Sequence, residues 1–340
     1  MAGLMPYFRC FVVFVSLPIL QANIEFVALG DWGFAGESFT TTINSMRLQC
    51  PDRDFVLLLG DKYPRGFEST SDSDWSLFTE GIALETNVPH HVVLGNHDYM
   101  SNPEAQIDYS KLDSRWDLPS KYYKRTHSDG SVNICLIGID TNIFDQSQAD
   151  WLQEQLSSPD CNSDKAWIVV MGHHPIWSGA MYKNTTNLVD ILLPVLKQNM
   201  VHLYLSGHDH VHQIFYDGQL TSVVTGAVSV MRAPVTFAAN QYQIWGVSGY
   251  NIEGYAKLDA SETEMNIQII AARTDRVFQQ FSLTRNGTRE SIFGHIIWSR
   301  ADSNKDAIIA EAGTQKSSTK NFFSAGDTVL ILVAVVMLLV

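Results

Sequence analysis

Short apolar runs recur along this chain, and most of them end on a compact polar block. Glu25–Leu29, Phe55–Leu59, Val92–Leu94, Asn133–Ile139, Trp167–Met171 and Leu203–Leu205 have the length and continuity of buried strands. Between them Glu37–Gln49, Ser73–Leu84, Ser147–Leu156 and Thr185–Asn199 space their apolar residues as helices do. That alternation predicts parallel β-α units. After Gly226 the pattern changes: Gly254–Leu258, Glu264–Ala271 and Val277–Leu283 follow one another closely, which predicts an antiparallel meander. No internal repeat is visible. From Asn286 to Asp327 the chain turns polar, charged and small, the composition of a stalk.

Five polar blocks follow the apolar runs in order: Gly30-Asp31-Trp32-Gly33, Gly60-Asp61-Lys62-Tyr63, Gly95-Asn96-His97-Asp98, Gly172-His173-His174-Pro175 and Gly207-His208-Asp209-His210. Each offers carboxylate, amide or imidazole, the groups that hold borderline metal ions. In open α/β sheets ligands bind at the carboxyl ends of the strands, so one edge would gather Asp31, Asp61, Asn96, His173 and His208. The glycine opening each block predicts a tight turn there. On extended backbone His208 and His210 would point to one side and Asp209 to the other. A carboxylate can bridge two cations where a lone imidazole cannot, and the set as a whole describes a two-metal hydrolytic site.

Composition narrows the setting. The 340 residues suffice for one large domain or two small ones, and 45% hydrophobic with 11% aromatic content is globular. A net charge of −13 argues against a nucleic-acid partner but not against a small anion, because bound metal ions reverse the local sign.

Both termini carry targeting patterns. Residues 1–22 have a weakly basic start, the apolar run Cys10–Leu20 and small Ala22, the pattern of a secretory signal peptide; the run is too short to span a bilayer. The last residues, 328–340, are apolar and follow a stretch rich in small and polar residues, which predicts a glycolipid-anchor signal or, alternatively, a short tail anchor. The expected divisions are therefore a signal peptide (1–22), a catalytic domain (23–285), a stalk (286–327) and an anchor tail (328–340). Sequons at Asn184 and Asn286 agree with passage through the secretory pathway, to secretion, a lysosome-like compartment or the cell surface. Loss of Cys10 with the signal peptide leaves Cys50, Cys135 and Cys161, hence at most one internal bridge; Cys135 also suits a buried apolar position.

At the metal blocks the chain resembles the calcineurin-like metallophosphoesterases, and among them the purple acid phosphatases of the small, tartrate-resistant mammalian type. Ala105-Gln106-Ile107-Asp108-Tyr109-Ser110-Lys111, Arg115-Trp116, Pro119-Ser120 and His173-His174-Pro175-Ile176-Trp177-Ser178 extend the similarity, which covers roughly Ile24 to Leu283. The resemblance implies an α/β fold, a four-layer α/β/β/α sandwich of two mixed sheets flanked by helices. It implies hydrolysis of phosphate monoesters, small molecules or phosphoproteins, by a metal-activated hydroxide. The implied cofactors are two metal ions, ferric iron paired with ferrous iron, zinc or manganese. Asp31 and His210 would hold the first ion, Asp61 would bridge, and Asn96, His173 and His208 would hold the second. His97 would protonate the leaving oxygen, with Asp98 orienting its ring. A nucleotidase or phosphodiesterase shares these blocks, and a non-catalytic surface protein is the alternative of a different class.

The chain departs from the resembled pattern in three places. The related enzymes read Asp-x-x-Tyr in the second block; Asp61-Lys62-Tyr63 is one residue shorter, so Tyr63 is either a metal ligand or a packing residue. Tyr182 stands where the mammalian type has a substrate-contacting histidine. The stretch after Asp140-Thr141 lacks the loop that covers the mammalian site until cut, which predicts activity without proteolysis. His174 stands where relatives have an aromatic residue, and a supporting or packing role is expected. His212 is expected to be solvated or hydrogen-bonded, while Trp32 and Trp177 are expected to wall the site. His90, His91, His127, His202 and His295 have no motif context.

Overall fold

A computed structural model describes residues 23–84, 86–231 and 240–285. The expectations for 1–22, 286–327 and 328–340, and the sequon at Asn286, lie outside these residues. Among the described residues no helix is long and apolar enough to cross a membrane.

Two seven-stranded mixed sheets form the frame. In the first, β1 (Ile24–Leu29), β2 (Phe55–Leu58), β3 (His90–Val92) and β4 (Trp116–Asp117) run parallel. The expected meander, β12 (Gly254–Ala260), β13 (Glu264–Ala271) and β14 (Arg276–Thr284), adds antiparallel onto β1. In the second sheet β6 (Val132–Gly138), β7 (Ala166–Met171), β8 (Leu203–Ser206) and β10 (Thr221–Thr225) run parallel. β5 (Tyr123–Asp129) and β9 (His212–Tyr216) run against them, and β11 (Gln243–Val247) pairs antiparallel with β9. Strand β5 escapes the apolar pattern because it forms an edge, where charged and polar residues such as Lys124, Arg125 and Ser128 are tolerated.

The central strands β1, β2 and β7 read as continuous apolar runs because both faces are covered. One core joins the sheets, with Phe26, Phe55, Trp167 and Ile267 fully buried in it. A second core packs the outer face of the second sheet, including Ile168 and Val170, against Leu152 and Leu196 of its helices. These are α3 (Gln146–Leu156), capped by Asp145 accepting from Gln148 N at 2.9 Å, and α4 (Leu193–Gln198). On the other side α1 (Glu37–Gln49) covers the first sheet with Phe39, Ile43 and Met46. A short α2 (Pro103–Tyr109) follows the third polar block.

Two expected helices are irregular. Ser73–Leu84 becomes a 3-10 turn, Ser73–Trp75, and a wider π-type segment, Leu77–Ile82. Thr185–Asn199 divides into a π-type segment, Leu188–Leu192, and α4, because Pro194 lacks the N–H and the clearance that a continuous α-helix requires. Cys135 forms a disulfide with Cys161, 26 residues on, and Cys50 is free and buried.

Candidate metal centre

The polar blocks follow β1, β2, β3, β7 and β8, so both sheets deliver them to one edge of the sandwich. The turns are made differently from the sequence expectation. Among the opening glycines only Gly60 has a left-handed backbone, φ 88°. The residues that bear the donors take that conformation themselves: Asp31 at φ 56°, Asp61 at 60° and His208 at 67°. A non-glycine residue in this region costs of order 1–3 kcal/mol and persists where the surroundings dictate it. Gly95 serves close approach instead, since a Cβ there would lie 2.0 Å from Asp61 Oδ1.

The donors converge. Around His173 Nε2 lie Asn96 Oδ1 at 3.1 Å, His208 Nδ1 at 3.2 Å and Asp61 Oδ2 at 3.3 Å. His210 Nε2 lies 3.3 Å from Asp31 Oδ1. Donors bound to one metal ion at roughly 2.1 Å would stand about 3 Å apart, so these spacings fit residues that would share an ion. Asp31, Asp61 and His173 place donor atoms within 4.8 Å of one another, joining the two groups.

Each carboxylate is tethered through one oxygen and offers the other. Asp31 Oδ2 accepts from His208 N at 2.8 Å, while its Oδ1 is buried without a hydrogen-bond partner. Asp61 Oδ1 accepts from His97 N at 2.9 Å, leaving Oδ2 toward His173. His173 Nδ1 donates to the Leu59 carbonyl at 2.8 Å, which fixes the tautomer and turns Nε2 inward. The orphaned Asp31 oxygen and this crowd of lone pairs fit a pair of cations. Burial opposes charge on Asp61, yet the neighbouring His173 holds its carboxyl well below the usual carboxylate range.

His208 and His210 reach the site by another route than extended backbone. Residues 207–211 turn, with Asp209 N donating to Gly207 O at 2.8 Å and Val211 N to Asp209 O at 2.7 Å. Asp209 does turn away, and its Oδ2 accepts from the Ser178 hydroxyl.

The expected His97–Asp98 contact is replaced by others. Asp98 is buried and accepts from Gly95 N at 2.7 Å, Gln106 Nε2 at 2.9 Å, Asp61 N at 3.0 Å and Lys62 N at 3.1 Å. It is a clasp between the second and third blocks. The group on His97 Nδ1 is the Pro64 carbonyl, at 2.6 Å, and His97 Nε2 lies 4.0 Å from Asp61 Oδ2.

A cavity of about 200 Å³ opens over these residues, lined by Asp61, Tyr63, Asn96, His97, Tyr182, His208 and His210 together with Val230 and Met231. The last two carry no motif that would have flagged them. Tyr63 packs its ring against His97 (4.8 Å between centroids) and edge-on to Phe34 (5.7 Å). Tyr182 lies over His208 at 4.3 Å. Trp32 and Trp177, expected as walls, are core residues instead, packed against Trp116 and against Tyr242 and Phe215. His212 is buried at the start of β9, its Nε2 donating to Ile252 O at 3.0 Å.

The fold and donor set define a two-metal phosphoesterase. Residues 24–212 match the family described as calcineurin-like phosphoesterase, to which the chain belongs. Tartrate-resistant acid phosphatase type 5 of Sus scrofa is 30% identical over 296 residues, 75% of this chain and 86% of that protein. Purple acid phosphatase 4 of Arabidopsis thaliana is 29% identical over 242 residues, 60% of this chain and 71% of that one. Among solved structures, purple acid phosphatase PPD1 of yellow lupin (Lupinus luteus) superposes with TM-score 0.63 at 16% identity, covering 78% of this chain and 54% of that one. GAP50, described as the anchor in the inner membrane complex of Plasmodium, gives TM-score 0.68 at 21% identity, covering 78% and 89%. These two share the fold. The function is that of a phosphate monoester hydrolase with a dimetal centre.

Proposed function

We propose that this chain is an acid phosphatase in which Asp31 and His210 hold one metal ion, Asn96, His173 and His208 hold the other, and Asp61 bridges. The observation that carries the assignment is the set of three donors within 3.1–3.3 Å of His173 Nε2. Ferric iron in the first site, with ferrous iron, zinc or manganese in the second, suits the mixed oxygen and nitrogen donors. The ions supply an activated water nucleophile and neutralise phosphate charge.

The chain's own residues do the rest. The Pro64 carbonyl holds His97 by Nδ1, so Nε2 is the nitrogen left to carry a proton to the leaving oxygen. Asp98 acts one step back, fixing the backbone of Asp61 and Lys62. Tyr182, at the cavity mouth, takes the place of a histidine as neighbour of the substrate. Tyr63 is a wall of the cavity, as its contacts with His97 and Phe34 indicate. In the iron-loaded protein Tyr63→Phe then leaves the visible spectrum unchanged, and loss of a charge-transfer band would make Tyr63 a ligand.

The secretory assignment draws support from the Cys135–Cys161 disulfide, which belongs in an oxidising compartment. Asn184 is exposed, and its Oδ1 accepts from Ser178 N at 3.1 Å, an orientation that leaves the amide nitrogen for a glycan. A glycolipid anchor directed by 328–340 is tested by release with a phosphatidylinositol-specific phospholipase, which would leave a tail anchor in the membrane. The activity is tested by metal content together with turnover of p-nitrophenyl phosphate against its bis-ester, with and without tartrate. Two metals per chain and tartrate-resistant turnover of the monoester are expected. An absence of metal and of turnover of either ester would leave the surface-protein reading.

A further inference from the structure

His174 is an imidazole at the centre to which neither the ligand scheme nor the proton-donor role of His97 gives a part. His173, His174 and His208 each place a ring nitrogen within 4.8 Å of the other two. The His174 ring is 4.4 Å from that of His208 and 5.0 Å from that of His173. Its other edge is fixed from behind. Thr141 Oγ1 accepts the His174 backbone N–H at 3.0 Å and faces the ring's Nδ1 at 2.8 Å. His173 is held in the same way, by Nδ1 on the Leu59 carbonyl. A hydroxyl or carbonyl on Nδ1 orients a ring whose Nε2 binds metal.

We propose that His174 is a metal ligand, adding a third imidazole beside His173 and His208 at the second ion site. This rests on the two-metal reading of the blocks. Three imidazoles with one amide oxygen and one carboxylate shift the site toward zinc or ferrous iron and away from manganese, which favours oxygen donors. An aromatic ring without the nitrogen would fill the same space beside His208, so the distinction lies in coordination and not in packing.

His174→Phe separates the two, because it keeps a ring against His208 and removes only the nitrogen. The full chain, labelled with ¹⁵N-histidine, is loaded with zinc; zinc affinity is read by chelator competition and bound nitrogens by their imidazole resonances. The wild type is expected to bind two zinc ions. The variant is expected to weaken one site at least about tenfold, to lose one zinc-shifted nitrogen resonance, and to lose selectivity for zinc over manganese. Unchanged affinities overturn the proposal. So does a weakened site with every zinc-shifted resonance except the ring's own free signal retained, which would make His174 packing only. A wild-type chain that binds no zinc, iron or manganese refutes the two-metal reading itself, and is distinguished because no variant is needed to see it. If the Phe variant fails to fold, His174→Tyr offers the same comparison with the ring polar at its tip.

Discussion

Replacing Asp98 by asparagine tests the division of labour between Asp98 and Pro64. The carboxylate serves four donors in two pairs: Oδ2 takes Gly95 N and Asp61 N, and Oδ1 takes Gln106 Nε2 and Lys62 N. An asparagine oxygen keeps one pair. Its NH₂ then meets the other, where Gln106 can turn its amide over and present oxygen, but the Lys62 N–H has no such freedom. The net loss is one charge-assisted hydrogen bond and one buried donor left facing another, about 2–3 kcal/mol. For a domain of this size that is a fall in Tm of roughly 4–6 °C. Because Asp98 holds the backbone on which Asp61 sits, metal retention should fall with it. The pH dependence of kcat should keep its shape, since His97 is oriented by the Pro64 carbonyl at 2.6 Å. Thermal unfolding, metal content after dialysis and a pH–rate profile of Asp98→Asn measure the three consequences. A variant with wild-type Tm but a displaced pH profile would refute this reasoning and return Asp98 to the role of orienting His97.

Other outcomes follow from single contacts. Reduction of Cys135–Cys161, or Cys135→Ser, removes a 26-residue cross-link and should cost about 3.5 kcal/mol by loop entropy, read as a lower denaturant midpoint; an unchanged midpoint rejects the estimate. Gly95→Ala drives a Cβ to 2.0 Å from Asp61 Oδ1, and the purified protein should lose metal while its far-ultraviolet circular dichroism persists. Away from the site, His127 Nε2 lies 2.8 Å from His91 Nε2, and His91 Nδ1 lies 2.6 Å from the Asp117 carboxylate that Arg125 also holds. Burial and the neighbouring His91 push the His127 imidazole down to about 4. With the folded value below the unfolded one, about 6.5, the unfolded chain binds the extra proton, so this stability is present above the unfolded value and is lost as pH falls toward 4. Partial exposure reduces the effect to about 1–2 kcal/mol. Denaturation at neutral pH and near pH 4 should show less acid loss in His127→Gln than in wild type, and equal losses would contradict it.

The sequence revealed what repetition and periodicity encode. Strands β1, β2, β6, β7 and β8 were visible because burial on both faces makes their residues largely apolar, and α1 because Phe39, Ile43 and Met46 recur at helical spacing. The polar blocks were visible because metal donors at strand exits are short-range patterns. What stayed hidden is tertiary. Strands β9 and β10 are fixed by neighbours contributed from β8 and β11 and not by their own pattern. Pro194 was in plain view, yet the resulting division of the helix depends on how the π-type segment ahead of it packs Leu188 and Leu192.

The site shows the same boundary at finer scale. Glycines at the head of each block suggested that they make the turns, because glycine adopts a left-handed backbone at least cost. In the structure that burden falls on Asp31, Asp61 and His208, the residues whose side chains matter, while Gly95 leaves room for the Asp61 carboxylate. A left-handed aspartate reverses the chain within one residue, so its carboxylate and the following N–H groups face the same edge. That geometry lets the backbone of one block satisfy the carboxylate of another: His208 N binds Asp31, and His97 N binds Asp61. Each block is therefore incomplete without a partner distant in sequence. The same reciprocity explains why Asp98, next to His97 in the chain, serves Asp61 and Lys62 instead. Adjacency in sequence names the residues of this centre, and the left-handed turns decide which of them meet.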